Sequence, residues 1–190
     1  MLEVAGFCVT VDLEAGTQLH RQIRTWKETA VTTKTDFSED EWSRIVRAPL
    51  VAGMAISLAD PGGPIEATKE TVATLKSATN PPSREQLLAE VALEIQAMTQ
   101  QKRSPLSGYR PAADGAPAGE QVLEEVRAVQ ALVAAKAEPD EAAAFGRWLV
   151  SAAQAAADAA KEGGFLGIGA QRVSAREQAM LDRVRAAVSG

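Results

Sequence analysis

At 190 residues and 46% hydrophobic content, the chain is long enough to bury the core of one domain, or of two small ones. Its net charge of −5 argues against the broad basic face that nucleic-acid binding needs. One cysteine, Cys8, and one histidine, His20, exclude an internal disulfide, a zinc site built from Cys and His alone, and the usual di-iron carboxylate site with its two Glu-x-x-His pairs.

The composition leans to helix: 37 residues are alanine and only 4% are aromatic, and alanine has the best helix propensity while Val, Ile and aromatics favour strands. Residues 1–37 differ from the rest. Val4, Phe7, Val9 and Val11 lie close together, and four threonines fall between Thr29 and Thr35. This segment reads as a β-prone or irregular N-terminal extension, either a short hairpin or a stretch that packs little. Met1-Leu2-Glu3-Val4 has an acid where a signal peptide carries Lys or Arg, and the lone Cys suits a reducing compartment, so the expected location is cytoplasmic.

The helical body, residues 38–190, opens with a capping box at Ser38-Glu39-Asp40-Glu41, and Phe37 and Trp42 stand at the positions of a hydrophobic staple. The helix continues through Ile45, Val46, Leu50, Met54 and Leu58, with Pro49 expected to kink it or to start a second segment. From Ala48 to Ala59 it is apolar nearly all round, the pattern of a central buried helix. These twelve residues are too short to span a bilayer, which takes roughly 20.

Asp60-Pro61-Gly62-Gly63-Pro64 breaks the chain. A shorter helix follows to about Ala78, with Val72 and Leu75 expected inward. Ser83-Arg84-Glu85-Gln86 reads as a second capping box, opening a helix with Leu88, Val91, Ile95 and Met98 on one face and an end near Lys102-Arg103. Residues 104–119, with Pro105, Pro111 and Pro117 and Gly108, Gly115 and Gly119, read as an internal linker or a long surface loop. The next helix carries Val122, Val126, Val129 and Val133. After Glu138-Pro139, a further helix sets Phe145, Trp148, Leu149, Ala152, Ala156 and Ala159 on one face and Arg147, Ser151, Gln154, Asp158 and Lys161 on the other. A third capping box, Ser174-Ala175-Arg176-Glu177, opens the last helix, with Met180, Leu181, Val184 and Val188. The fold class expected is all-α, a bundle of five or six helices. Trp42 and Trp148 each lie in a helix that runs to a glycine turn, a faint echo of a duplicated helical hairpin.

The chemistry on offer is sparse. Ser-His-Asp or Cys-His catalysis would have to use His20, whose neighbours Arg21, Gln22 and Arg24 form a polar stretch. The loop Gly163–Gly169 is neither a dinucleotide fingerprint nor a P-loop, since no strand precedes it and Ala170 and Gln171 replace the phosphate-binding Lys and Ser/Thr. Gly167, Gly169, Arg172 and the helix start at Ser174 are candidates for holding an anion. Phe165, Leu166 and Ile168 in the same loop are candidates for closing one end of the bundle or for docking a partner. Asp60, Glu66 and Glu70 flank a turn and could offer oxygen ligands to a hard cation; a solvated helix face is the plainer reading of them. No catalytic residue and no cofactor are expected.

Two stretches carry a family likeness. Ala48-Pro49 … Ala59-Asp60-Pro61-Gly62-Gly63, and Lys161-Glu162-Gly163-Gly164-Phe165-Leu166-Gly167-Ile168-Gly169 … Val173-Ser174-Ala175-Arg176-Glu177, resemble a group of uncharacterised bacterial all-helical proteins over about residues 38–190. That resemblance implies a helical bundle and brings no functional residue with it. The Asp60 turn followed by Glu66 is loosely similar to tellurite-resistance TerB-like domains, which implies a link to metal or stress, although Lys161 and Glu162 stand where the second acidic turn would be. The resulting expectation is a non-catalytic cytoplasmic accessory, scaffold or stress-related protein. It would act through its surface on an unknown protein partner or on a second copy of itself, without binding nucleic acid or spanning a membrane. The alternative is a bundle that binds a small molecule or metal ion in an inter-helix pocket or at the acidic turn near Asp60.

Overall fold

The computed structural model describes residues 31–112, 115–160 and 173–189. Among these residues the structure is all-helical. A 3-10 turn, Lys34–Asp36, precedes α1 (Glu39–Ala59), α2 (Pro64–Ala78), α3 (Gln86–Gln100), α4 (Ala118–Lys136), α5 (Pro139–Ala160) and α6 (Ala175–Val188). The six helices hold more than half of the whole chain. From residue 31 onward the described residues form one compact unit, and residues 1–30 lie outside the described residues.

Helix α1 is the axis of the bundle and packs against all five other helices. Its start is fixed locally. Ser38 Oγ accepts from the Glu41 backbone N–H at 3.3 Å, and Glu41 Oε2 accepts from the Ser38 N–H at 2.7 Å. Two of the orphan donors of the first turn are thereby satisfied. The Phe37 and Trp42 rings meet with centroids 6.2 Å apart, the staple that sets the angle of entry. The helix runs unbroken through Pro49, so no second segment begins there. Ala48, Leu50, Val51, Ala52, Ala55 and Ile56 are buried on every side, as the all-round apolar run requires. Leu58, expected inward with them, is partly exposed at the end of the helix.

The stripes of the later helices fall as their spacing dictates. Leu88, Val91 and Ile95 of α3, Val122, Val126, Val129 and Val133 of α4, and Met180, Leu181 and Val184 of α6 all join the core. On α5, Phe145, Trp148, Leu149, Ala152 and Ala156 are buried, and Arg147, Ser151 and Asp158 face outward. Ser174 and Glu177 form the reciprocal cap of α6, at 3.1 and 2.7 Å.

Two expectations are corrected. The capping box at Ser83 does not form: α3 begins at Gln86 with Glu85 as its N-cap, and no side chain caps it. A capping box needs its Ser at the N-cap, and here the helix starts two residues later than the box would place it. Val72 is 62% exposed rather than inward; α2 buries Glu70, Thr74 and Ala78 instead.

Helix α3 ends in a Schellman turn. The Lys102 N–H donates to the Thr99 carbonyl at 2.9 Å and the Arg103 N–H to the Met98 carbonyl at 2.9 Å. Lys102 takes φ 57°, the left-handed conformation that glycine adopts without strain. Lys102→Gly is therefore expected to stabilise the protein by about 1 kcal/mol. A urea melt showing a raised midpoint at unchanged slope checks this; a lowered midpoint would show that the Lys102 side chain contributes more than the strain costs.

Residues 104–112 and 115–117 are turns and loop fastened to the bundle, and α4 already begins at Ala118. Leu106 and Tyr109 pack against the core, the Arg47 guanidinium lies 5.0 Å from the Tyr109 ring centroid, and the Gln121 carboxamide bonds the backbone N–H and C=O of Ala112 at 2.7 and 3.0 Å.

Candidate functional site

The junction of α1 and α2 gathers the acidic residues singled out in the sequence. Asp60 caps the C-terminus of α1 and pairs with Arg176 in the first turn of α6 at 3.5 Å. Glu66 lies in the first turn of α2, where its carboxylate folds over Gly63. Glu70, one turn on, is 2% exposed and accepts a hydrogen bond from the Ser57 hydroxyl of α1. Among the described residues, no three His, Cys, Asp or Glu side chains stand close enough to hold a metal ion. Ser174 is occupied as a helix cap by Glu177. Gly167, Gly169 and Arg172, and the loop residues Phe165, Leu166 and Ile168, lie outside the described residues, as do Cys8 and His20.

Burial pushes the Glu70 carboxyl up from its ordinary value; repulsion from Glu177 and Glu66 adds to the rise, and the Ser57 hydrogen bond offsets part of it. Between the ordinary value and the raised one, the native state holds a proton that the unfolded chain has released. Stability therefore falls as pH rises through that window and remains lower above it. Glu70→Gln keeps an acceptor for Ser57 and removes the buried charge. The variant is expected to melt above the parent at pH 7, with the gap closing below about pH 4, under the ordinary carboxyl range. Melting curves across pH check this, and a variant less stable than the parent at pH 7 would contradict it.

Helix α2 is amphipathic in the inverse sense. Its fully buried residues are Glu70, Thr74 and Ala78, small or polar, with Leu75 packed partly against the core beside them, and it lies closely on α1 and on the alanine-rich α5. Close approach replaces large apolar contact: a Cβ added at Gly53 of α1 would stand 2.3 Å from Thr74 Cγ2. The Trp148 indole N–H of α5 donates to the Ser77 carbonyl at 3.0 Å and ties down the last turn. The outward face carries Ile65, 70% exposed, and Val72, 62% exposed. Ile65, Lys69, Val72 and Lys76 follow one another at spacings of four, three and four residues, which puts them on one stripe. This stripe escaped the sequence reading because Val72 was assigned to the core by apolarity alone; Leu75, assigned with it, does pack against the core. The signal was the second periodicity of the same helix, Glu70-Thr74-Ala78, which suits a tight small-residue interface.

The other charged clusters join helix to helix. Glu125 of α4 receives Arg44 at 2.8 and 3.1 Å and Arg47 at 3.0 Å. Burial pushes the Glu125 carboxyl up, but the two arginines outweigh it and hold the group below its ordinary value. Glu41 is held low by Lys136, 2.7 Å away, and by its bond from the Ser38 N–H. No described helix is long and apolar enough to cross a membrane. With this geometry in hand, comparison with known proteins finds no family model, no curated protein and no solved structure that matches the chain.

Proposed function

We propose that the protein is a non-catalytic interaction module whose recognition face is the outer stripe of α2. The observation that carries this reading is the inverted helix: Ile65 and Val72 stand in water while Glu70 and Thr74 are buried. A helix packed only for stability turns its large apolar residues inward. Large side chains left outside on one stripe are the mark of a surface awaiting a partner. The exposed lysine at the end of the stripe gives the partner's chemistry. Lys76 stands one turn beyond Val72, so the complementary surface is a helix with apolar residues and a carboxylate beside them. Pairing of two copies through this stripe would bring lysines against lysines and is disfavoured.

A photoreactive phenylalanine analogue at Val72, introduced in the producing cell, tests the reading. Irradiation is expected to give one defined adduct, whose joined peptide is an acidic amphipathic helix. The same analogue at Arg127, an exposed α4 position, should not give it. No adduct at Val72, or identical adducts at both positions, would overturn the proposal.

A further inference from the structure

The geometry points to a second, independent site: a groove between α4, α5 and the end of α6 that takes a small carboxylic acid with an apolar body and an O–H or N–H donor. The groove has a volume of about 720 Å³, within the range of roughly 300–1,000 Å³ typical of small-molecule sites. Small residues open it. Ala134 of α4 and Ala142, Ala143 and Gly146 of α5 line it where larger side chains would fill the space.

Its floor holds an unmet hydrogen-bonding group. Gln130 of α4 is 7% exposed. Its Nε2 donates to the Ala142 carbonyl at 3.1 Å, which fixes the carboxamide, and its Oε1 has no partner and almost no accessible surface, so a donor reaches it only as the wall formed by Gly146 and Val188 gives way. That oxygen lies over Gly146: a Cβ there would stand 3.2 Å from it, so the glycine leaves room where an alanine would press on it. Buried polar groups are nearly always satisfied, and one fixed in place and left without a partner at the floor of a groove calls for a donor from outside.

The rim supplies the charge. Arg147 is exposed and, among the described residues, makes no hydrogen bond or ion pair; its resolved electrostatic link is a Coulomb attraction to Glu85. Arg185 lines the same groove but is engaged with Asp182 at 2.6 Å and Gln154 at 3.1 Å. Two guanidinium groups at the edge disfavour a cationic ligand and leave Arg147 to receive a carboxylate. Val150 and Val188 provide apolar walls for the body between the two polar ends.

Three matched probes separate the contributions: 4-hydroxyphenylacetate has donor and charge, phenylacetate lacks the donor, and 4-hydroxyphenylethanol lacks the charge. Each is titrated to about 10 mM, the weak range expected of fragments, against the full chain, with the Gln130 side-chain amide and the Gly146 backbone amide followed by NMR. Saturable shifts at both groups are expected with 4-hydroxyphenylacetate, which should bind roughly fivefold or more tightly than either relative, the order of one lost hydrogen bond or charge contact. In Arg147→Gln, an exposed position, the advantage over 4-hydroxyphenylethanol should disappear. Absence of saturable shifts, any other ordering of the three probes, or an unchanged advantage in Arg147→Gln would overturn the assignment.

Discussion

Trp148→Ala is expected to cost about 3–5 kcal/mol, the range for deleting a fully buried large aromatic. Trp148 is 0% exposed and lies where α5 meets α2. Its ring meets Phe145 edge-on at 6.1 Å, an arrangement that adds roughly 0.5–1.5 kcal/mol beyond area burial. Its indole N–H satisfies the Ser77 carbonyl, one of the acceptors that a helix C-terminus leaves without an intrahelical partner. Truncation therefore removes packing and one of the two hydrogen bonds of the Ser77 carbonyl, which keeps the Asn80 N–H at 3.2 Å. For a chain of this length, a loss of that size should lower the melting temperature by roughly 10 °C or more. Trp148→Phe retains most of the packing and loses the hydrogen bond, so its loss should be clearly smaller. Equal losses in the two variants would show that the Ser77 contact, rather than ring volume, dominates.

Gly53→Ala should also destabilise, by about 1–3 kcal/mol, although Gly→Ala in a helix interior ordinarily gains about 1 kcal/mol. The reversal of sign is the informative feature. The new methyl would fall 2.3 Å from Thr74 Cγ2, 2.4 Å from its Oγ1 and 2.9 Å from its Cβ. Threonine is β-branched and cannot rotate both branches away, and its hydroxyl is held by the Glu70 carbonyl at 2.7 Å. The α1–α2 contact must open. Thr74→Ala removes the two nearest atoms and leaves only the Cβ contact at 2.9 Å, so the double variant should recover much of the loss and show coupling of at least about 1 kcal/mol. Strict additivity in chemical unfolding would contradict the close-approach account of this interface.

Much of this fold is legible in the residues because it is specified locally. Ser38 with Glu41, and Ser174 with Glu177, announce helix starts that the structure keeps, and the valines of α4 and the alanine–aromatic face of α5 point to the core by spacing alone. The failures have physical causes. Ser83 stands before a Glu/Gln three residues on, but a capping box also needs its serine at the N-cap, and that choice depends on how the preceding Pro81-Pro82 turn meets the bundle. Val72 misleads because its apolarity argues for burial, whereas α2 is held by small residues against α1 and α5, a tertiary preference that no single-helix pattern displays. The groove below Arg147 depends on which alanines of α4 and α5 fall side by side. The sequence shows their abundance; only the packing shows the space between them.

The central claim is that α2 is anchored by its polar, small-residue face and presents its apolar face for recognition. The melting temperature of the double variant Ile65→Glu, Val72→Glu tests it most directly. Each new carboxylate would stand four residues before a lysine, Lys69 or Lys76, an arrangement worth a few tenths of a kcal/mol to an exposed helix. The account predicts a melting temperature within about 2 °C of the parent, because exposed substitutions of this kind stay within about 0.5 kcal/mol. A fall of the size expected for Trp148→Ala would show that Ile65 and Val72 belong to the core, and would contradict the claim.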